Sequence, residues 1–129
     1  MISFDSFLME DGIPIYLQII AYLKRGMVAG SVRDGDELPS RRLLSARLGV
    51  NPNTVQKAYH LLEAEGLIVS QTGAKSCVVL PPAALDRVRQ ELLEGDIRSV
   101  ISAMAQMGLS KAEALRLLEK YWPDGGDTQ

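Results

Sequence analysis

Asn51, Asn53, Thr54, Gln56 and Lys57 lie close together in the stretch GVNPNTVQKAY, residues 49–59, and each carries side-chain hydrogen-bonding groups. Asn51 is a favoured N-cap, and Pro52 suits a first helical position, where a missing N–H costs nothing. Capping explains these two residues and leaves Asn53, Thr54, Gln56 and Lys57 crowding the N-terminal end of the helix. Asparagine and glutamine can bond bidentately to the N6 and N7 edge of adenine, a threonine methyl can meet a thymine methyl, and lysine suits a phosphate. The chemistry on offer is recognition of a polar, anionic polymer.

Periodicity supplies the elements that position these groups. Pro14 opens a helical pattern in which Ile15, Ile19, Tyr22 or Leu23, and Met27 recur until Gly30. SVRDGDELP reads as a turn-rich connector. Ser40 then caps a second, short helix, with Leu43, Leu44 and Leu48 facing inward before Gly49. The third helix runs from Pro52 to about Glu65, burying Val55, Ala58, Tyr59 and Leu62, with Gly66 as its stop. A tight, glycine-containing turn between two short amphipathic helices is the helix-turn-helix arrangement, whose second helix enters a DNA groove. LIVSQ and SCVVL follow as two β-prone runs joined by TGAK, a hairpin with Gly73 supplying a positive φ. Three helices and a hairpin predict a winged helix over residues 1–80, in a fold that is mainly α.

Residues 81–129 form the expected second domain, a short helical dimerisation tail. Pro81-Pro82 breaks the strand pattern, and Leu93, Ile97, Val100, Met104 and Met107 then recur at heptad-like spacings. Gly95 is a candidate kink. Ser110 caps a last helix whose apolar face is Leu115, Leu118 and Trp122. Two short helices cannot bury such a seam on one small domain, so the tail is expected to pair two copies.

Composition narrows the function. The 129 residues are 47% apolar, which suits one small domain with a short appendage. The single cysteine, Cys77, has no partner for an internal disulfide, no apolar run is long enough to span a membrane, and the start of the chain is acidic. The expected location is the cytoplasm. The net charge of −2 conceals an uneven distribution: residues 14–80 carry eight basic and five acidic side chains, whereas residues 1–13 carry three acids and no base. His60 and Cys77 lack carboxylates at metal-ligand spacing, and none of the common phosphate-loop, nucleophile-elbow or metalloprotease motifs occurs. Neither a metal, a cofactor nor an enzymatic activity is expected.

LPSRRLLSARLGVNPNTVQKAYHLLEAEGLI, residues 38–68, resembles the DNA-binding domain of GntR-family bacterial transcription regulators. The resemblance rests on Pro39, Ser40 and Arg42 as a P-S-x-R motif, the L-G-V turn, the N-T-V of the recognition helix and L-E-A-E-G-L before the wing. NPNTVQKAY and the short tail are similar to the YtrA-like subfamily, whose members lack a large effector domain and dimerise through the tail. Pro52 and Gln56 stand where many family members place arginines, so an arginine-to-guanine readout does not carry over to them.

The resemblance and the residue chemistry together imply a homodimeric regulator, expected to be a repressor, on an inverted-repeat double-stranded DNA operator. Asn53, Thr54 and Gln56 are the expected base readers. Lys57, Arg41 and Arg42 are expected at phosphates, aided by the N-terminal N–H groups of helices capped by Ser40 and Asn51; Arg42 aligns with the family's DNA-contacting arginine. Thr72, Gly73 and Lys75 form the expected wing tip, which in such folds reaches a minor groove. A cleft between two copies could hold a small-molecule effector. The competing reading is a winged-helix protein-binding module, but such a surface calls for apolar anchors, whereas the outer face of helix three offers Asn53, Thr54, Gln56, Lys57 and His60.

Overall fold

The computed structural model describes residues 1–71 and 75–124. Helix α1 spans Ile15–Ala29, strand β1 Glu37–Leu38, helix α2 Arg41–Leu48, helix α3 Pro52–Ala64, strands β2 Ile68–Ser70 and β3 Ser76–Val78, and helices α4 Pro82–Gln106 and α5 Lys111–Tyr121. Two compact units result, Met1–Leu92 and Leu93–Gln129, and their boundary lies within α4.

The first unit is a winged helix whose element ends follow the capping chemistry. Ser40 Oγ accepts from the Leu43 N–H at 3.1 Å, and Asn51 Oδ1 accepts from the Asn53 N–H at 2.8 Å. Gly49 closes α2 at φ 69°, a left-handed conformation that disfavours residues with a Cβ. Ile19, Leu23, Leu44, Val55, Tyr59, Leu62 and Leu67 form a core from which water is excluded. Full burial of each such aliphatic side chain is worth about 1.5–3 kcal/mol relative to exposure. Leu43 departs from expectation, being 42% exposed. The inward place on α2 goes to Ser45, whose hydroxyl is satisfied by the Arg42 carbonyl at 3.2 Å.

The turn-rich connector also contains a short strand that its sequence did not announce. Glu37 and Leu38 form a third strand, antiparallel to β3, so the sheet runs β1-β3-β2. Leu38 lies opposite Ser76, and Val69 lies opposite Cys77. Gly26 permits the chain to turn back beneath α1, because a Cβ there would stand 2.6 Å from Val32 Cγ2. The start of the chain belongs to this unit as well. The Ile2 N–H donates to the Glu37 carbonyl at 2.9 Å, Phe4 is buried, and Phe4, Phe7 and Tyr22 pack ring against ring.

Helix α4 begins at Pro82, the N-terminal position where proline is tolerated, and continues as one helix past Gly95. Ala84 and Val88 of its first turns are buried in the core of the first unit. In the second unit, Ser110 caps α5 by accepting from the Glu113 N–H at 3.2 Å. No residue of α5 is buried. Ile97, Val100, Ile101, Met104, Leu115, Leu118 and Trp122 line an open apolar groove. Of the expected seam, Leu93 and Met107 stand outside this groove, whereas Ile101 joins it. No described helix is long and apolar enough to cross a membrane.

Candidate nucleic-acid interface

The two faces of α3 separate sharply. Val55, Ala58, Tyr59 and Leu62 point into the core, and Asn53, Gln56, Lys57 and His60 are exposed at helical spacings that place them together on the opposite side. Thr54 is half-buried. The Asn51 side chain is committed to its cap, and the Asn51 carbonyl receives the Thr54 N–H at 2.9 Å. Asn51 therefore shapes the first turn, while Asn53 and Gln56 present amide edges to the outside.

Two tyrosines hold two of the expected phosphate-binding cations. Lys57 Nζ lies 4.2 Å from the centre of the Tyr16 ring, and the Arg41 guanidinium carbon lies 5.5 Å from that of Tyr59. Tyr59 also fixes α3 against the start of α2, since its hydroxyl donates to the Pro39 carbonyl at 2.7 Å. Burial pushes the phenol well above its ordinary value, and the nearby Arg41 charge only partly opposes this. Arg41 Nε is buried without a hydrogen-bond partner among the described residues. Arg42 is exposed at the second position of α2, and Lys75 is exposed ahead of β3. Thr72 and Gly73, the remainder of the expected wing tip, lie outside the described residues.

The basic count of residues 14–80 overstates the surface charge. Lys24 is only 5% exposed and is paired with Glu65 and Glu91, and Arg47 Nη1 lies 3.4 Å from Asp5 Oδ1. Of the other six, Arg41 and Arg42 begin α2, Lys57 lies on α3 and Lys75 precedes β3, whereas Arg25 and Arg33 lie on α1 and in the connector. The role of Tyr16 does not show in the sequence, because a tyrosine one residue from a helix start reads as core. Its signal is the pairing with a lysine distant in the chain, which only the fold brings near.

Comparison with known proteins agrees with this geometry. Residues 15–78 match the model of the bacterial regulatory proteins of the gntR family. The chain is 30% identical over 113 residues to the HTH-type transcriptional regulator YhcF of Bacillus subtilis, covering 88% of this chain and 93% of the relative. It belongs to the GntR family.

Within that family it is YtrA-like. It is 35% identical over 107 residues to the HTH-type transcriptional repressor YtrA of Bacillus subtilis, covering 83% of this chain and 78% of that protein. A solved GntR family transcriptional regulator from Listeria monocytogenes superposes with a TM-score of 0.77 at 29% identity, covering 87% of this chain and 98% of that one. YtrA from Sulfolobus acidocaldarius, a GntR-family transcription factor, gives a TM-score of 0.53 at 31% identity, covering 87% and 90%. The chain is thus a transcriptional regulator that binds DNA through its helix-turn-helix.

Proposed function

We propose that this GntR-family member is a cytoplasmic repressor that binds an inverted-repeat operator as a homodimer. The observation that carries the reading is the exposed face of α3, where Asn53 and Gln56 present amides beside Lys57 while the opposite face is wholly buried. In this reading α3 lies in the major groove, with Asn53 and Gln56 bonding adenine edges and the Thr54 methyl meeting thymine. Arg41, Arg42 and Lys57 neutralise phosphates, and Lys75, exposed ahead of β3, meets the neighbouring minor groove. Repression is supported by the likeness to a relative named as a repressor.

Pairing is supported by the second unit, which leaves Ile97 56%, Ile101 59%, Leu115 55% and Trp122 61% exposed. An apolar surface of this kind is unfavourable in water, and a second copy covers it symmetrically. Selection of bound duplexes from a random library tests the reading. The expected product is a two-fold symmetric site with half-sites about one DNA turn apart or a simple multiple of it; recovery of single, unpaired half-sites at full affinity removes the symmetric dimer from the account.

A further inference from the structure

Lys24 is a lysine in the apolar stripe of α1, with its side chain 6% exposed. Its ammonium lies 2.9 Å from Glu65 Oε1, 3.2 Å from Glu65 Oε2 and 2.8 Å from Glu91 Oε2. Glu65 is the C-cap residue of the recognition helix α3. Glu91 lies in the third turn of α4, on the face that also carries Ala84, Arg87 and Val88 at helical spacing. Ala84 and Val88 are buried, and Arg87 Nη2 reaches the Glu65 carbonyl at 3.5 Å. One cation therefore joins three helices, and two of its partners are the end of the reading helix and the helix that continues into the tail.

We infer that Lys24 is a positioning residue that fixes the base of α4 to the C-terminal end of α3 and so sets the half-site spacing the dimer accepts. The inference rests on the homodimeric reading above. Two carboxylates share one ammonium, so K24M leaves Glu65 and Glu91 as like charges at the junction of α3 and α4, and E91Q leaves the ammonium ion-paired to Glu65 alone, without its charged partner on α4. Either change loosens the base of α4 against the end of α3, where Ala84 and Val88 remain packed, while leaving the outer face of α3, with Asn53 and Gln56, untouched. The residues at the base of α4 belong to the same helix, Pro82–Gln106, that carries the apolar positions Ile97, Val100 and Met104 of the tail. The half-site sequence and the half-site spacing are then under the control of different residues.

The test is selection from a random duplex library with the full-length wild-type chain and with K24M, E91Q and K24R. Glu91 is half-exposed, so E91Q is the milder change and decides the matter where K24M does not fold. The expected result is one spacing for wild type and K24R, and the same half-site at several spacings for K24M and E91Q. Coupling of this kind is commonly worth about fivefold or more. The preference for the best spacing over one altered by a single base pair is therefore expected to fall about fivefold or more in both variants. An unchanged single spacing in K24M or E91Q, even with lowered thermal stability, leaves Lys24 a structural ion-pair residue and overturns the inference. An altered half-site sequence assigns Lys24 to base reading instead and overturns it too. Unpaired half-sites with the wild-type chain remove the dimer reading itself, and this inference with it.

Discussion

Lys57 on the recognition helix rests over the ring of Tyr16 in the first turn of α1, with Nζ 4.2 Å from the ring centre. A lysine free in solvent samples many rotamers, and holding it on an aromatic face lowers the entropy cost of meeting a phosphate. An exposed cation–ring pair is worth about 0.5–1 kcal/mol. Tyr16→Leu is expected to weaken binding by a few-fold on operator and random duplex alike, while leaving the salt slope unchanged because the lysine charge remains. Lys57→Ala, by contrast, is expected to flatten the slope by about 0.9 for each phosphate that the complex no longer neutralises. Anisotropy titrations across a salt series separate the two. A flattened slope in Tyr16→Leu defeats the positioning role.

Arg42 and Asn53 are expected to fail differently. Arg42 is exposed near the N-terminus of α2, and Arg42→Ala should weaken all sequences about equally and flatten the salt dependence. Asn53→Ala removes an amide whose backbone N–H, not its side chain, serves the cap. Its expected cost is about 1–3 kcal/mol per half-site on the preferred operator and much less on random DNA. Proportional losses on both kinds of DNA would reduce Asn53 to a residue of the capping turn.

Alkaline pH should destabilise the first unit through two groups. Burial keeps the Tyr59 phenol neutral and raises its pKa above 10.0. For Lys24, burial opposes the charge, but hydrogen bonds to Glu91 and Glu65 outweigh it, and the pKa rises above 10.5. In both cases the folded value exceeds the unfolded one, so the stabilisation is complete below the ordinary pKa and is lost as pH rises through the folded value. Denaturation followed by circular dichroism should show stability falling from about pH 10 upward. Tyr59→Phe should remove part of that slope and, at neutral pH, cost about 1–3 kcal/mol, because the buried Pro39 carbonyl loses its donor. A slope identical to wild type would show that Tyr59 does not titrate with unfolding.

The helices of the first unit are legible in the sequence because their ends are written in local chemistry. Ser40 and Asn51 cap through their own side chains, as Ser110 does for α5 in the second unit, and Gly30 and Gly49 adopt left-handed conformations. What escapes the sequence depends on partners far along the chain. Strand β1 has only two residues, too few to show alternation, and exists because β3 pairs with it. Lys24 counts as surface charge until its partners, Glu65 and Glu91, are found 41 and 67 positions away. Leu43 lies outside its expected inward place, and Ser45 is buried instead, because an eight-residue helix offers too few turns to fix its inner face from apolar residues alone. On the exposed side of α3 the reading needs no partner: Asn53, Gln56 and Lys57 are outside because their neighbours at Val55, Ala58 and Tyr59 are inside.

The tail carries the sharpest test of assembly. Val100 is 43% exposed in a groove where it neighbours Ile97, Ile101 and Met104 of α4 and Leu115 and Leu118 of α5. A seam read along a single helix includes Leu93 and Met107, but α4 and α5 line the groove jointly, which draws in Ile101 and leaves those two aside. Burying a charged carboxylate in an apolar interface costs several kcal/mol, enough to dissociate a dimer of moderate affinity. Val100→Glu with Met104→Glu is therefore expected to give a folded monomer in sedimentation at micromolar protein, with the wild type dimeric. Because Val100 and Met104 lie in the second unit and take no part in the buried core of the first, the substitution should leave the melting of the first unit nearly unchanged. Binding to an isolated half-site should survive, and the gain from the second half-site should disappear. A dimer that persists with both glutamates in place puts the interface elsewhere, and the exposed groove between α4 and α5 then has some other occupant.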